Sequence, residues 1–75
     1  MEEKVLEILK MIKSDVDYDK EKALVDDGIL ESFDIIQIVT TLMDEFDIFI
    51  DADDIEPENL NSYEAICEMV RKKWN

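Results

Sequence analysis

Asp26-Asp27-Gly28-Ile29-Leu30-Glu31-Ser32-Phe33-Asp34 is the stretch around which the rest of the chain is organised. Asp27-Gly28 is a turn signal, and Gly28 is free to adopt positive φ. Ser32 then opens a helix predicted over residues 32 to 46. On a wheel of 100° per residue, Ile35, Ile38, Val39, Leu42 and Phe46 fall on one stripe and form the expected core face. Asp34, Gln37, Thr41, Asp44 and Glu45 form a solvent face. Phe33, Ile36, Thr40 and Met43 are left over, centred about 120° from the core stripe and on the side of Ser32. A domain of this size buries one face of a helix but hardly two, so this group is expected to be an apolar strip beside Ser32.

Upstream, Val5, Ile8, Leu9 and Ile12 have helical spacing, which predicts a helix over residues 2 to 13. Glu2 and Glu3 lie at its start and Lys13 at its end, as the helix dipole prefers. Residues 14 to 31 form a long connection. Ala23, Leu24 and Val25 are its expected packing segment, with a short helical turn around residues 19 to 24, and Ile29 and Leu30 tuck its end onto the core. Downstream, Phe49 and Ile50 are expected anchors of a linker over residues 47 to 61. Pro57 starts a short helical turn, and Ile55 and Leu60 are expected buried contacts. A last helix over residues 62 to 73 carries Tyr63, Ile66, Cys67, Val70 and Trp74 on its apolar stripe. Asn61 or Ser62 caps it. The fold class is all-α: a small four-helix bundle of three longer helices and one short one, in a single domain.

Composition narrows the function. The 75 residues carry 21 acids, 8 bases and no histidine, a formal net charge of -13. Leu, Ile, Val and Phe make up 24 of the 75 residues, enough for a highly charged chain to fold. The acidity argues against nucleic acid and anionic membranes and favours partners with basic patches. No apolar run approaches a membrane span, no signal peptide is evident, and the cytoplasm is the expected location. The absence of histidine removes Ser-His and Cys-His nucleophile pairs and His-ligated zinc. Cys67, alone and on an apolar stripe, is expected to be a buried structural thiol. Asp15-x-Asp17-x-Asp19 has the opening of a calcium loop, but Lys20 stands where such a loop needs glycine and Asp26 where it needs a bidentate glutamate. A solvated acidic loop is the better reading.

Ser32 remains. As a plain reading it is a helix N-cap. Its setting allows another: it follows a glycine turn and lies at a helix N-terminus, where free amides favour a phosphoryl group. Without histidine it is no self-activated nucleophile, but another enzyme can modify it.

The segment Asp27-Gly28-Ile29-Leu30-Glu31-Ser32-Phe33-Asp34 resembles the phosphopantetheine attachment site of acyl and peptidyl carrier proteins. The likeness continues through Asp44-Glu45-Phe46, Ile50, Asp53-Asp54-Ile55 and Asn61-Ser62-Tyr63-Glu64-Ala65-Ile66. The chain departs from the family pattern at Glu31, where aspartate is usual. The resemblance implies an acyl-carrier-like bundle with no catalytic residues of its own. It implies a 4′-phosphopantetheine arm, transferred from coenzyme A to Ser32 by a phosphopantetheinyl transferase, that carries acyl groups as thioesters in fatty-acid, polyketide or related synthesis. It also implies docking through the second helix, which agrees with the strip of Phe33, Ile36, Thr40 and Met43 beside Asp34, Asp44 and Asp47. The expected partners are acyl- or aminoacyl-activating ligases and acyl-transferring enzymes with basic patches. Gly28-Ile29-Leu30-Glu31-Ser32-Phe33 looks closer to stand-alone aminoacyl carriers such as D-alanyl carrier proteins, which stay open as an alternative. An acidic helical adaptor without a prosthetic group and a calcium-responsive protein stay open as other classes. The small apolar strip implies a monomer.

Overall fold

The computed structural model describes residues 1–74. Their order is α1 (Glu2–Ile12), α2 (Ser32–Phe46), a 3-10 turn (Ala52–Asp54), α3 (Pro57–Leu60) and α4 (Tyr63–Lys73), with no strand among the described residues. The class expected from the periodicity is therefore observed: all-helical, with three longer helices and one short one.

Helix α1 is the hub, packing against both α2 and α4, while α3 lies against α4. Val5, Ile8 and Leu9 of α1 meet Ile38, Val39, Leu42 and Phe46 of α2 and Ile66, Cys67, Met69 and Val70 of α4 in one core. Leu24, Leu30, Ile50 and Leu60 come into it from the connections. Cys67 is buried, and burial pushes its thiol pKa up, so it stays protonated.

Three expected anchors lie elsewhere. Phe49 is 70% exposed while Ile50 is buried. Helix α2 ends at Asp47 in the left-handed conformation (φ 55°), and the chain beyond it is not helical. There Ile48 and Ile50 turn towards the core, which aims Phe49 outward, as side chains alternate along extended backbone. Ile55 is exposed, and the 3-10 turn before it is held by polar contacts instead: Asp51 and Asp54 each accept the other's backbone N–H, and Lys73 pairs with Asp54. Trp74 is half-exposed, its ring edge-on to Phe46 at 5.4 Å, and Met69 fills the core position on α4 instead. Helix α1 stops at Ile12, so Lys13 is its C-cap, and the basic residue in its last turn is Lys10.

The connection from Lys13 to Glu31 forms two turns. One is closed by the Lys20 and Glu21 N–H groups donating to the Asp17 carbonyl, the other by Asp27 N–H to Ala23 O and Gly28 N–H to Val25 O. Its first half is held by Tyr18, whose ring is buried and whose hydroxyl lies 3.1 Å from Leu9 O and 2.7 Å from Lys13 O. Leu9 O also accepts from the Lys13 N–H at 2.8 Å, whereas Lys13 O lies at the end of α1, where the helix offers a carbonyl no partner of its own. Burial, with Asp15 and Asp34 nearby, pushes the Tyr18 pKa up to about 12. The fold thus favours the neutral phenol. Its contribution is complete below the ordinary value of 10 and is lost as pH rises through about 12. Tyr18→Phe is expected to lose about 1 kcal/mol in urea unfolding at pH 8. The gap to the parent should close between pH 10 and 12. Tyr63, also raised to about 12, is present in both proteins and cancels.

Candidate functional site

The site is the N-terminal end of α2 and the turn that leads into it. Leu24 and Leu30 are both buried, and the Leu30 N–H donates to Leu24 O at 2.8 Å, so the turn between them is a closed loop pinned at both ends. Gly28 sits at its tip with φ +71°, and a Cβ placed there would meet nothing within 4 Å. Backbone conformation, not lack of space, is what asks for glycine here.

Helix α2 begins at Ser32, as the periodicity predicts, but its N-cap is Glu31. The Glu31 N–H donates to Asp34 Oδ2 at 3.0 Å, closing the helix end from within its first turn. The capping role that a serine commonly takes is thereby filled by its neighbours. Ser32 is the first helical residue and is exposed, and its hydroxyl has no hydrogen bond among the described residues.

Asp34 is more deeply engaged than a solvent-face residue would be. Besides accepting from Glu31, it has Lys13 Nζ 3.7 Å from its Oδ2, and its side chain is largely covered. It links the end of α1 to the start of α2 and so is structural rather than freely presented. Phe33 (69% exposed) and Ile36 (61%) stand out in solvent beside Ser32, and Thr40 is exposed on the same side. Met43 departs from this strip: it is half-buried against the core, as is Ile35. The apolar strip is therefore confined to the Ser32 end of the helix.

Asp44 and Asp47 are exposed at the other end, with Glu45, and the last turn of α2 has no base. Acids at a helix C-terminus face the negative end of its dipole and cost a few tenths of a kcal/mol each, on the order of 0.3–1. One of them, Glu45, has a cation nearby, Lys4 at 3.6 Å across an exposed gap. Among the described residues no three carboxylates or cysteines converge to hold a metal. In the acidic loop, the Asp17 carboxylate accepts from Asp19 N–H at 3.1 Å, folding back on its own turn.

Asn61 does not cap α4. Ser62 does, its Oγ accepting from Ala65 N–H at 3.0 Å. Asn61 instead reaches across to the turn before Ser32: its Oδ1 accepts from the N–H groups of Val25 and Asp26, and its Nδ2 donates to Asp26 Oδ2. Residue types alone give no sign of this pairing, or of Tyr18. The one local hint is an aromatic ring set among aspartates in a loop.

No family model, curated protein or solved structure matches the chain. No helix among the described residues is long and apolar enough to cross a membrane.

Gly28→Ala is expected to destabilise the protein by about 1 kcal/mol through backbone strain alone. Gly28→Asn should lose less, because asparagine tolerates the left-handed region better. Denaturant midpoints of the two variants check this. Equal losses would mean that the strain argument fails.

Proposed function

We propose that the chain is a carrier protein modified on Ser32 with 4′-phosphopantetheine. The observation that carries this reading is the unengaged, exposed Ser32 hydroxyl on the first residue of α2, with the capping work done by Glu31 and Asp34. The resemblance of Asp27–Asp34 to the attachment site of acyl and peptidyl carriers supports it.

The chemistry follows from what the residues can and cannot do. The protein has no histidine, and among the described residues no side chain is hydrogen-bonded to the Ser32 hydroxyl to activate it. In the transfer, Ser32 Oγ forms a bond to the phosphorus that carries the pantetheine. The pyrophosphate bond of coenzyme A breaks, the bisphosphorylated adenosine leaves, and the hydroxyl proton passes to a base of the transferase. The first-turn amides of α2, which have no partners within the helix, and the positive end of its dipole would favour the negative charge of a phosphodiester on Ser32. When bound, the group supplies a terminal thiol that holds the cargo as a thioester.

Phe33 and Ile36 offer a small apolar contact next to the modified serine, and Asp44, Glu45 and Asp47 offer negative charge farther along the helix. An enzyme with a basic patch would meet both on one helix. Charge of this kind speeds encounter more than it tightens binding, which suits a shuttle that must also leave. The cargo is an acyl or aminoacyl group, and the partners are the enzymes that load and unload it.

Incubation with coenzyme A and a broad-specificity phosphopantetheinyl transferase is expected to add one phosphopantetheine to the intact mass of the parent and none to Ser32→Ala. A folded parent that arrives unmodified and gains nothing from several transferases would end the carrier reading. The acidic adaptor would then be the better description, since it requires no modification at Ser32.

A further inference from the structure

We infer that Asn61 is a positioning residue for the modification of Ser32, a role that rests on the carrier reading above. Asn61 lies at the junction between α3 and α4, far along the chain from the serine, yet four hydrogen bonds run from it to the turn that leads there. Its carbonyl accepts from Leu24 N–H at 2.8 Å. Its Oδ1 accepts from Val25 N–H at 3.0 Å and from Asp26 N–H at 3.1 Å. Its Nδ2 donates to Asp26 Oδ2 at 3.1 Å. One residue thus engages three consecutive residues of the turn.

The bonds continue to the serine. The carbonyl of Leu24, the first residue Asn61 holds, accepts from Leu30 N–H. Leu30 precedes Glu31, which is tied to Asp34 across Ser32. Nothing in α4 requires the Asn61 side chain, because Ser62 supplies the cap. Without Asn61 the turn keeps its buried Leu24 and Leu30 but loses the polar bonds of the residues between them. Water replaces those bonds easily at a half-exposed site, so the consequence is looseness more than unfolding.

A loosened turn must be ordered each time a transferase docks on it. Fixing one further backbone residue is worth about a factor of ten in affinity. Once docked, the serine sits where it does in the parent. Asn61 therefore acts on binding of the carrier and not on the chemical step.

The experiment is steady-state transfer from coenzyme A, with the carrier as varied substrate and a broad-specificity phosphopantetheinyl transferase. Asn61→Ala is expected to raise KM for the carrier about tenfold and leave kcat near the parent value. Ser62→Ala destabilises the neighbouring helix end without touching the turn, and should leave KM unchanged. Asn61→Asp keeps the acceptor but sets a carboxylate against Asp26, so its KM should rise as well. Adding Asp26→Asn restores a donor to that pair, and the double variant should return close to Asp26→Asn alone. Equal KM values for parent and Asn61→Ala overturn the inference. So does a Ser62→Ala effect as large as that of Asn61→Ala, or a paired exchange that fails to lower the KM of Asn61→Asp. An unmodified parent is a different result: it overturns the reading of Ser32 itself, and the role of Asn61 with it.

Discussion

The connection between α1 and α2 must be ordered without a helix or sheet ladder, and the rest of the structure depends on how its backbone is satisfied. A connection of this length without secondary structure is uncommon in a compact domain. Here it contributes Tyr18, Leu24 and Leu30 to a core of modest size. Two polar anchors hold it in place: Tyr18 on the open end of α1, and Asn61 on the backbone of residues 24 to 26. Asn61 satisfies three backbone N–H groups, and Tyr18 supplies a donor to the Lys13 carbonyl, groups that would otherwise need water. Burial of the two leucines then gives the turn a fixed floor, and the geometry of Ser32 follows from that floor.

Charge acts against this economy. A formal net charge of -13 on 75 residues repels itself, and the ion pairs that relieve it are mostly half-exposed and worth little each. The more sheltered pairs have structural tasks. Lys13–Asp34 joins the end of α1 to the start of α2, and Lys73–Asp54 ties the 3-10 turn to α4. The Lys73 ammonium and the Asp51 backbone N–H hold the Asp54 carboxyl below its ordinary range, so this tie persists until the medium is well into acid. The bases are thus spent on bracing the fold, and the outer end of α2 is left acidic.

The helices are legible in the sequence because each long one has a clear apolar period and a bounded start. Helix α2 is the clearest, opened by the Asp27-Gly28 turn and running from Ser32 to Phe46 as its spacing requires. The exposure of Phe33 and Ile36 is legible for the same reason, since a helix in a small domain has one buried face. Adjacent apolar residues outside helices are not legible in this way. Phe49 and Ile50 look equivalent, and only the left-handed exit at Asp47 decides which of them turns inward. Long-range polar bonds are less legible still. Asn61 reads as a helix cap, and its true partners lie 35 and 36 residues away. Nothing in the local pattern around either end reveals them.

Two local rules are broken on the same helix. Serine is among the best N-caps, and glutamate is not among the favoured residues. Exchanging positions 31 and 32 would give α2 a better cap and would tie up the serine hydroxyl in making it. The chain instead caps with Glu31 and Asp34 and leaves the hydroxyl exposed on the first turn. At the other end, Asp44, Glu45 and Asp47 stand where the dipole favours bases. Each arrangement gives up some stability in a domain with little to spare. Departures of this kind concentrate where a surface is kept for another purpose. A free hydroxyl at one end of the helix, and acids at the other of which only Glu45 has a cation nearby, are the two departures that the proposed carrier role would account for.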